Sequence, residues 1–271
     1  MKRITLTLTL AGISLIVLML TGHSDAALTP KDAVAVWLLD EGAGDTVKDI
    51  SDNANDGKIT GKPKWVNGKF GKGLELDQLD KVGTVTAKGV SKSFLAECLW
   101  VKFNDFSTES QFGYINSSGT ASTRYFYFST WCAAGAPHNC IHLGTLDGGG
   151  AWGRGIATAK MFDKDKWYFV CGVIDNNAGT IKAYIDGVEK HNQPFAKGDT
   201  PGTPTQIWLG GTPENYQWIK GTVDEVAFFN VAVTPDDMKS MMKDGVGRAV
   251  GILAVDPAGK IATTWGSIKN K

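Results

Sequence analysis

VAVWLLDEGAGDTVKDISDNANDGKITGKPKWVNGKF, residues Val34 to Phe70, and IKGTVDEVAFFNVAVTPDDMKSMM, residues Ile219 to Met242, are the two stretches that decide the fold. In the first, the apolar run AVAVWLL suits a strand covered on both faces, and turn-forming Gly, Asp and Asn follow it. In the second, GTVDEVAFFN reads as a strand that leads into a short helix. Thr234 is a good N-cap, Pro235 fits the first helical position, and Asp236 and Asp237 suit the positive end of the helix dipole. Met238, Met241 and Met242 recur at helical spacing, and Gly245 can end the helix with a positive φ.

Working inward, the chain breaks into short segments separated by turn residues: GKGLELD, KVGTVTA, FLAECLWVKF, QFGYIN, RYFYFST, CIHLGTL, KWYFVCGVI, IKAYIDG and QIWLGG. Many short strands at even spacing are the pattern of a sandwich or jelly roll. In FLAECLWVKF, Leu95, Glu97, Leu99 and Val101 alternate with Ala96, Cys98, Trp100 and Lys102. The segment TIKAYIDGVEK predicts a hairpin. Ile181, Ala183 and Ile185 share one face, Lys182 and Tyr184 the other, and Asp186-Gly187 supplies the positive φ angles of a tight turn.

The two end stretches resemble the bacterial laminin-G-like (concanavalin A-like jelly-roll) family, whose domains open and close with these phrases. The resemblance covers about Val34 to Gly245 and is weakest between Phe103 and Lys166. It implies an all-β fold, an antiparallel two-sheet jelly-roll β-sandwich with one short C-terminal helix. The expected organisation is a signal peptide over 1–26, a laminin-G-like jelly-roll domain over 27–247 and a C-terminal tail over 248–271.

The N-terminus reads as an export signal: Lys2 and Arg3, an apolar core over Ile4 to Leu20, then Ser24-Asp25-Ala26 before a cut. The expected location is secreted, periplasmic or on the cell surface, with no membrane span once the signal is removed. Export would leave Cys98, Cys132, Cys140 and Cys171 oxidised. Of three pairings, Cys132–Cys140 (closing CAAGAPHNC) and Cys98–Cys171 (between two strand-like segments) are preferred. No CxxC pair supports zinc. With 28 basic and 28 acidic residues the formal net charge is zero, which argues against a nucleic-acid partner.

No Ser/His/Asp arrangement stands out among the four His, and no catalytic residue is assigned. The sharpest catalytic candidate is ELDQLD, where alternation puts Glu75 and Asp77 on one face, as in retaining glycosidases on this scaffold. Its last carboxylate is Asp80 where that chemistry uses Glu, so a plain strand and turn is the preferred reading. SDNANDG (Ser51 to Gly57) lacks the terminal Glu and flanking helices of an EF-hand and reads as a loop. DGGGAWGRG (Asp147 to Gly155) lacks a phosphate-loop Lys and reads as a surface loop.

Sugar rings stack on Trp and Tyr while Arg, Asn and Asp bind hydroxyls. Trp131, Trp152, Arg154, Tyr216 and Trp218 lie in or beside Gly- and Cys-rich segments and are the candidate ligand-binding residues, whereas Trp37, Trp100 and Trp167 fall in strand patterns. The resemblance also implies a structural Ca²⁺, with Asp40 and Asp224 as side-chain ligands; the alternative is that these acids cap turns. The expected function is an exported, non-catalytic binding or adhesion domain for a glycan or a cell-surface protein. The rival readings are a glycan hydrolase or lyase and a structural cell-surface protein.

Overall fold

The computed structural model describes residues 27–76, 84–88, 95–116, 124–146, 152–157, 160–175, 177–194, 206–211 and 218–254. In chain order the first strands are β1 (Ala33–Trp37), β2 (Thr46–Val47), β3 (Gly57–Thr60), β4 (Lys64–Asn67), β5 (Lys72–Glu75), β6 (Thr84–Lys88), β7 (Ala96–Phe103) and β8 (Gln111–Asn116). The next are β9 (Arg124–Ser129), β10 (Ile141–Leu146), β11 (Trp152–Ala157), β12 (Trp167–Asp175), β13 (Thr180–Ile185), β14 (Val188–Pro194), β15 (Gln206–Leu209) and β16 (Gly221–Phe229). Helices α1 (Pro235–Asp244) and α2 (Val246–Ala249) follow.

The strands form two antiparallel sheets, the jelly-roll sandwich expected from the end stretches. The first runs β14-β13-β12-β7-β16-β5-β4, with β1 also paired to β16, and the second runs β11-β10-β9-β8-β15-β6-β3-β2. The pleat divides each strand between two environments. In β7, Leu99, Val101 and Phe103 enter the core between the sheets, where they meet Phe112, Phe126, Phe128, Ile207 and Phe228. Its alternate residues Ala96, Cys98 and Trp100 belong to a second apolar cluster with Phe169, Val173, Phe229, Met238, Met241, Val246 and Val250. Both helices therefore roof the outer face of the first sheet. Each large side chain buried this way contributes roughly 1.5–3 kcal/mol of transfer free energy.

The roof is anchored by a capping box. Thr234 Oγ1 accepts from the Asp237 amide at 3.2 Å, and an Asp237 carboxylate oxygen accepts from the Thr234 amide at 3.0 Å, satisfying amides the first helical turn leaves open. The Asp186-Gly187 turn has φ values of 51° and 73°, and Ile181, Ala183 and Ile185 face the core, as the hairpin reading required. Both preferred disulfides are present. Cys98–Cys171 joins facing positions on β7 and β12, while Cys132–Cys140 closes the connection from β9 to β10. Trp37 and Trp100 are buried and Trp167 is half-buried.

Two expectations need correction. The structure has a second short helix, α2. The stretch Asp147 to Gly155 is not a loop throughout, because residues from Trp152 onward pair with β10 in register from Leu146↔Trp152 to Ile141↔Ala157. Ladder hydrogen bonds use only the backbone, so a glycine-rich segment can complete a sheet when a neighbouring strand offers its edge. The loop over Ser51 to Gly57 is stitched by side-chain amides: Asn53 Nδ2 and Asn55 Nδ2 donate to the Val34 carbonyl at 3.1 and 2.8 Å.

One core position breaks the apolar rule. Glu97 follows the same alternation as Leu99 and Val101 and is fully buried between the sheets. Among the described residues neither carboxyl oxygen has a hydrogen-bond partner, and a Cβ added to Gly113 on β8 would sit 1.7 Å from one of them. Burial drives this carboxyl well above the usual range, so it is held neutral.

Candidate functional site

The helices cover one outer face of the sandwich; among the described residues no helix lies over the other. Across the second sheet one row of cross-strand partners runs Thr46, Lys58, Thr86, Trp208, Tyr114, Tyr127, Gly144, Arg154. Residues flanking this row in sequence, such as Val85, Ala87, Ile207, Phe126, Phe128 and Leu143, belong to the core. The pleat therefore assigns the row itself to the outer face. Aromatic residues on the outer side of a sheet present flat apolar surface next to polar neighbours.

At one side of this face the rings of Tyr127 and His142 lie 4.7 Å apart, and Trp131 packs on His142 at 4.9 Å. Tyr127 and His142 are buried, whereas Trp131 is half-buried, so the two strand residues back the loop tryptophan. Ser129 Oγ contacts His142 Nδ1 at 3.4 Å and accepts from the Trp131 amide at 3.3 Å. The Cys132–Cys140 bridge fixes the loop that begins immediately after Trp131. Toward the other side, half-buried Trp208 donates from Nε1 to Gln206 Oε1 at 3.2 Å. Trp218 reaches the same region from outside: Gly211 lies between it and Thr84, so an added Cβ there would meet Trp218 Cδ1 at 3.3 Å and the Thr84 methyl at 2.5 Å. Trp218 Nε1 is buried without a hydrogen-bond acceptor among the described residues.

Of the candidate ligand residues, Trp131 and Trp218 thus flank one face, and the register brings positions 152 and 154 to that face opposite Leu146 and Gly144. Tyr216 lies outside the described residues. The strand-borne members Tyr114, Tyr127, Trp208 and His142 were not selected from sequence. The available signal was period-two alternation in RYFYFST and QIWLGG, where Tyr127 and Trp208 interleave with core Phe and Leu.

The candidate metal ligands lie elsewhere, at the outer side of the first sheet. The register of β16 slips between Asp224 and Ala227, and Glu225 takes φ 50° there, a β-bulge beside two successive carboxylates. Asp224 accepts from the Lys69 and Phe70 amides at 2.7 and 2.9 Å. Asp40 accepts from the Lys72 amide at 2.7 Å. Both acids therefore cap the turn that enters β5. Cβ atoms added to Gly68 and Gly71 would fall 2.5 Å from Asp224 Oδ2 and 2.1 Å from Asp40 Oδ1, so the bare glycine backbone lets those oxygens approach. Burial pushes Asp224 up to about 8, with backbone donors opposing it. Burial likewise pushes Glu225 up to about 7, aided by the Asp40 charge. Among the described residues no group of three or more His, Cys, Asp or Glu side chains could hold a metal ion, so calcium here would also need backbone carbonyls.

Glu75 stands on β5 of the first sheet, paired with Thr222 and Lys64; Asp77 and Asp80 lie outside the described residues. A separate depression of about 620 Å³ is lined by Phe106, Pro137, Phe162 and the Cys132–Cys140 bridge. Its rim charges are paired, Lys160 with Asp163 and Lys164 with Asp105.

The model of the concanavalin A-like lectin/glucanases superfamily matches residues 82–239, more than half of the chain. The chain belongs to this superfamily. No curated protein matches it. Among solved structures it is similar to domain 4 of AbnA, an extracellular GH43 arabinanase from Geobacillus stearothermophilus, in complex with arabinotriose. That match has 21% identity and TM-score 0.59, covering 78% of this chain and 98% of that one. It is also similar to the botulinum neurotoxin serotype D ligand-binding domain in complex with N-acetylneuraminic acid (13%, TM-score 0.57, 79% and 51%). A third is the binding domain of Paraclostridial Mosquitocidal Protein 1 (13%, TM-score 0.57, 79% and 52%). The chain spans about half of each toxin domain, and identities this low speak for the fold alone. No helix among the described residues is long and apolar enough to cross a membrane.

Proposed function

We propose that this chain is an exported, non-catalytic domain that binds a glycan on the outer face of the second sheet. The observation that carries the reading is the cross-strand row with Trp208 at its centre, flanked by Trp131 and Trp218, on the sandwich face that the helices leave open. Half-buried indoles held by strands and a disulfide-closed loop offer rigid stacking platforms at small entropic cost. Two similar structures were solved with sugars, arabinotriose and N-acetylneuraminic acid, which supports a sugar as the ligand class. Two disulfides support export to an oxidising compartment. Glu75, the leading catalytic candidate, stands on the other sheet, which supports a role without catalysis.

We further propose that Asp40 and Asp224 hold one structural Ca²⁺ with main-chain carbonyls at the β5 turn. The supporting observation is the pair of buried carboxylates at the bulge, Asp224 and Glu225, whose ionised forms a cation would stabilise.

A glycan array with the full chain and calcium tests the binding role. Binding is expected, with at least a tenfold loss in Trp131→Ala and Trp208→Ala at unchanged fold by circular dichroism. Absence of binding to every glycan, or variants that bind as well as the parent chain, would overturn the reading.

A further inference from the structure

We propose that Glu97 is a proton-operated latch between the two sheets: protonated, it lets them close over Gly113, and ionised, it can be hydrated only by parting β7 from β8. The fold then holds most tightly in acidic surroundings. This goes beyond the binding role and stands whatever the ligand.

The latch is a matter of placement. Strand β7 lies in the middle of the first sheet, between β12 and β16, where Glu97 pairs with Gly172 on one side and Phe228 on the other. Across the core its carboxyl reaches the backbone of the opposite sheet. A Cβ added to Gly113 would lie 1.7 Å from Oε2 and 2.5 Å from Oε1, so the carboxyl fills the room of a missing side chain. Gly113 is flanked by Leu209 of β15 and Phe128 of β9, both core residues. The space beside Gly172 is already taken by Leu143 and Phe128. Water can enter there only if the strands move.

No opposite charge faces the carboxyl. Gly172, Phe228, Gly113, Leu209 and Phe128 surround it from β12, β16, β8, β15 and β9, and none of them is ionisable. Lys102, further along β7, lies over the Trp167 ring. The other buried ionisable groups are engaged elsewhere. His142 packs with Tyr127 and Trp131, Asp224 accepts from the Lys69 and Phe70 amides, and Glu225 accepts from the Val246 amide. Tyr184 lies in the cluster under the helices, and the Tyr168 hydroxyl accepts from the Asp163 amide at 2.9 Å. Burial alone therefore raises the Glu97 carboxyl, without the backbone donors that oppose burial at Asp224. A carboxylate here would have neither donor nor cation, the costliest state for a core group.

Unfolded, Glu97 ionises near about pH 4.3; folded, it keeps its proton well above that. The stability it adds is fully present below the unfolded value and is lost as pH rises through the folded one. While only the unfolded chain is ionised, the folding equilibrium weakens about tenfold per pH unit.

Thermal unfolding of the full chain in chelator, from pH 5 to pH 9, compares the parent with Glu97→Gln, which keeps the shape, and Glu97→Met, which needs no hydrogen bond. Asp224 and Glu225 titrate alike in all three, so the difference between profiles belongs to position 97. Relative to the parent, each variant's midpoint should climb by at least about 5 °C over that range. Amide exchange in β8 at pH 9 should be at least tenfold faster in the parent than in Glu97→Gln. Gly113→Ala should lower the parent's midpoint and leave that of Glu97→Ala nearly unchanged. A profile parallel to the parent's for either variant, equal exchange in β8, or an equal Gly113→Ala loss in both backgrounds would overturn the latch.

Discussion

The two outer faces of the sandwich are made by the same pleat and put to different use. On the first sheet, outward residues such as Ala96, Cys98, Phe169 and Phe229 are small or apolar and lie under α1 and α2. On the second, the cross-strand row runs from polar Thr46, Lys58 and Thr86 through aromatic Trp208, Tyr114 and Tyr127 to Gly144 and Arg154. Cover and composition go together: a sheet face can be apolar only where something packs on it. The covered face stabilises the molecule, and the face over which no described helix lies is the one proposed above to bind a glycan.

That contrast yields measurements ordered by size. The largest concerns the buried acids below the roof. Asp224 and Glu225 have folded pKa values raised to about 8 and about 7, above their unfolded values near 4. The folded state therefore binds more protons. The stability they add is fully present below about pH 4 and is lost as pH rises through about 8. In chelator, thermal unfolding should show a loss on the order of a few kcal/mol between pH 5 and pH 9, which Asp224→Asn should flatten. Added Ca²⁺ should raise the midpoint chiefly at the alkaline end if the ion is bound; equal midpoints with and without it would remove the calcium proposal.

Next comes the roof itself. Met241 is fully buried against the first sheet, and Met241→Ala should cost about 2–4 kcal/mol by denaturant unfolding while glycan affinity stays within twofold. A matching loss of binding would blur the division between the faces. The smallest effect belongs to the loop beside Trp131. Removing Cys132 and Cys140 together should cost about 2.5 kcal/mol, as expected for closing so short a loop. It should also weaken glycan binding, because Trp131 loses its fixed base.

The architecture was legible because alternation, turn residues and capping act locally. The Asp186-Gly187 hairpin, the Thr234 cap and the placing of Glu97 on one face with Leu99 and Val101 followed from spacing. The proposed ligand face was only half legible. Loop tryptophans Trp131 and Trp218 were selected because they stand among Gly and Cys, but Trp208 and Tyr127 were passed over as strand residues. Alternation shows that such a residue faces away from its neighbours. It does not tell which of the two directions is the core until the sheets are stacked. Strand β11 was missed for a related reason: Gly153 and Gly155 have poor intrinsic strand preference, and the pairing partner β10 supplies what propensity lacks.

The Cys98–Cys171 bridge lies on β7 and β12 under the helices, and both of its cysteines are wholly buried. An oxidant can reach those thiols only before the last helical segment settles over them. Both cysteines leave the ribosome ahead of residues 235–249, so chain order permits the link to form while that side is still bare. Once closed, the helices shut out reductants. A reducing agent should then sever Cys132–Cys140 in the native protein long before it touches the other bond.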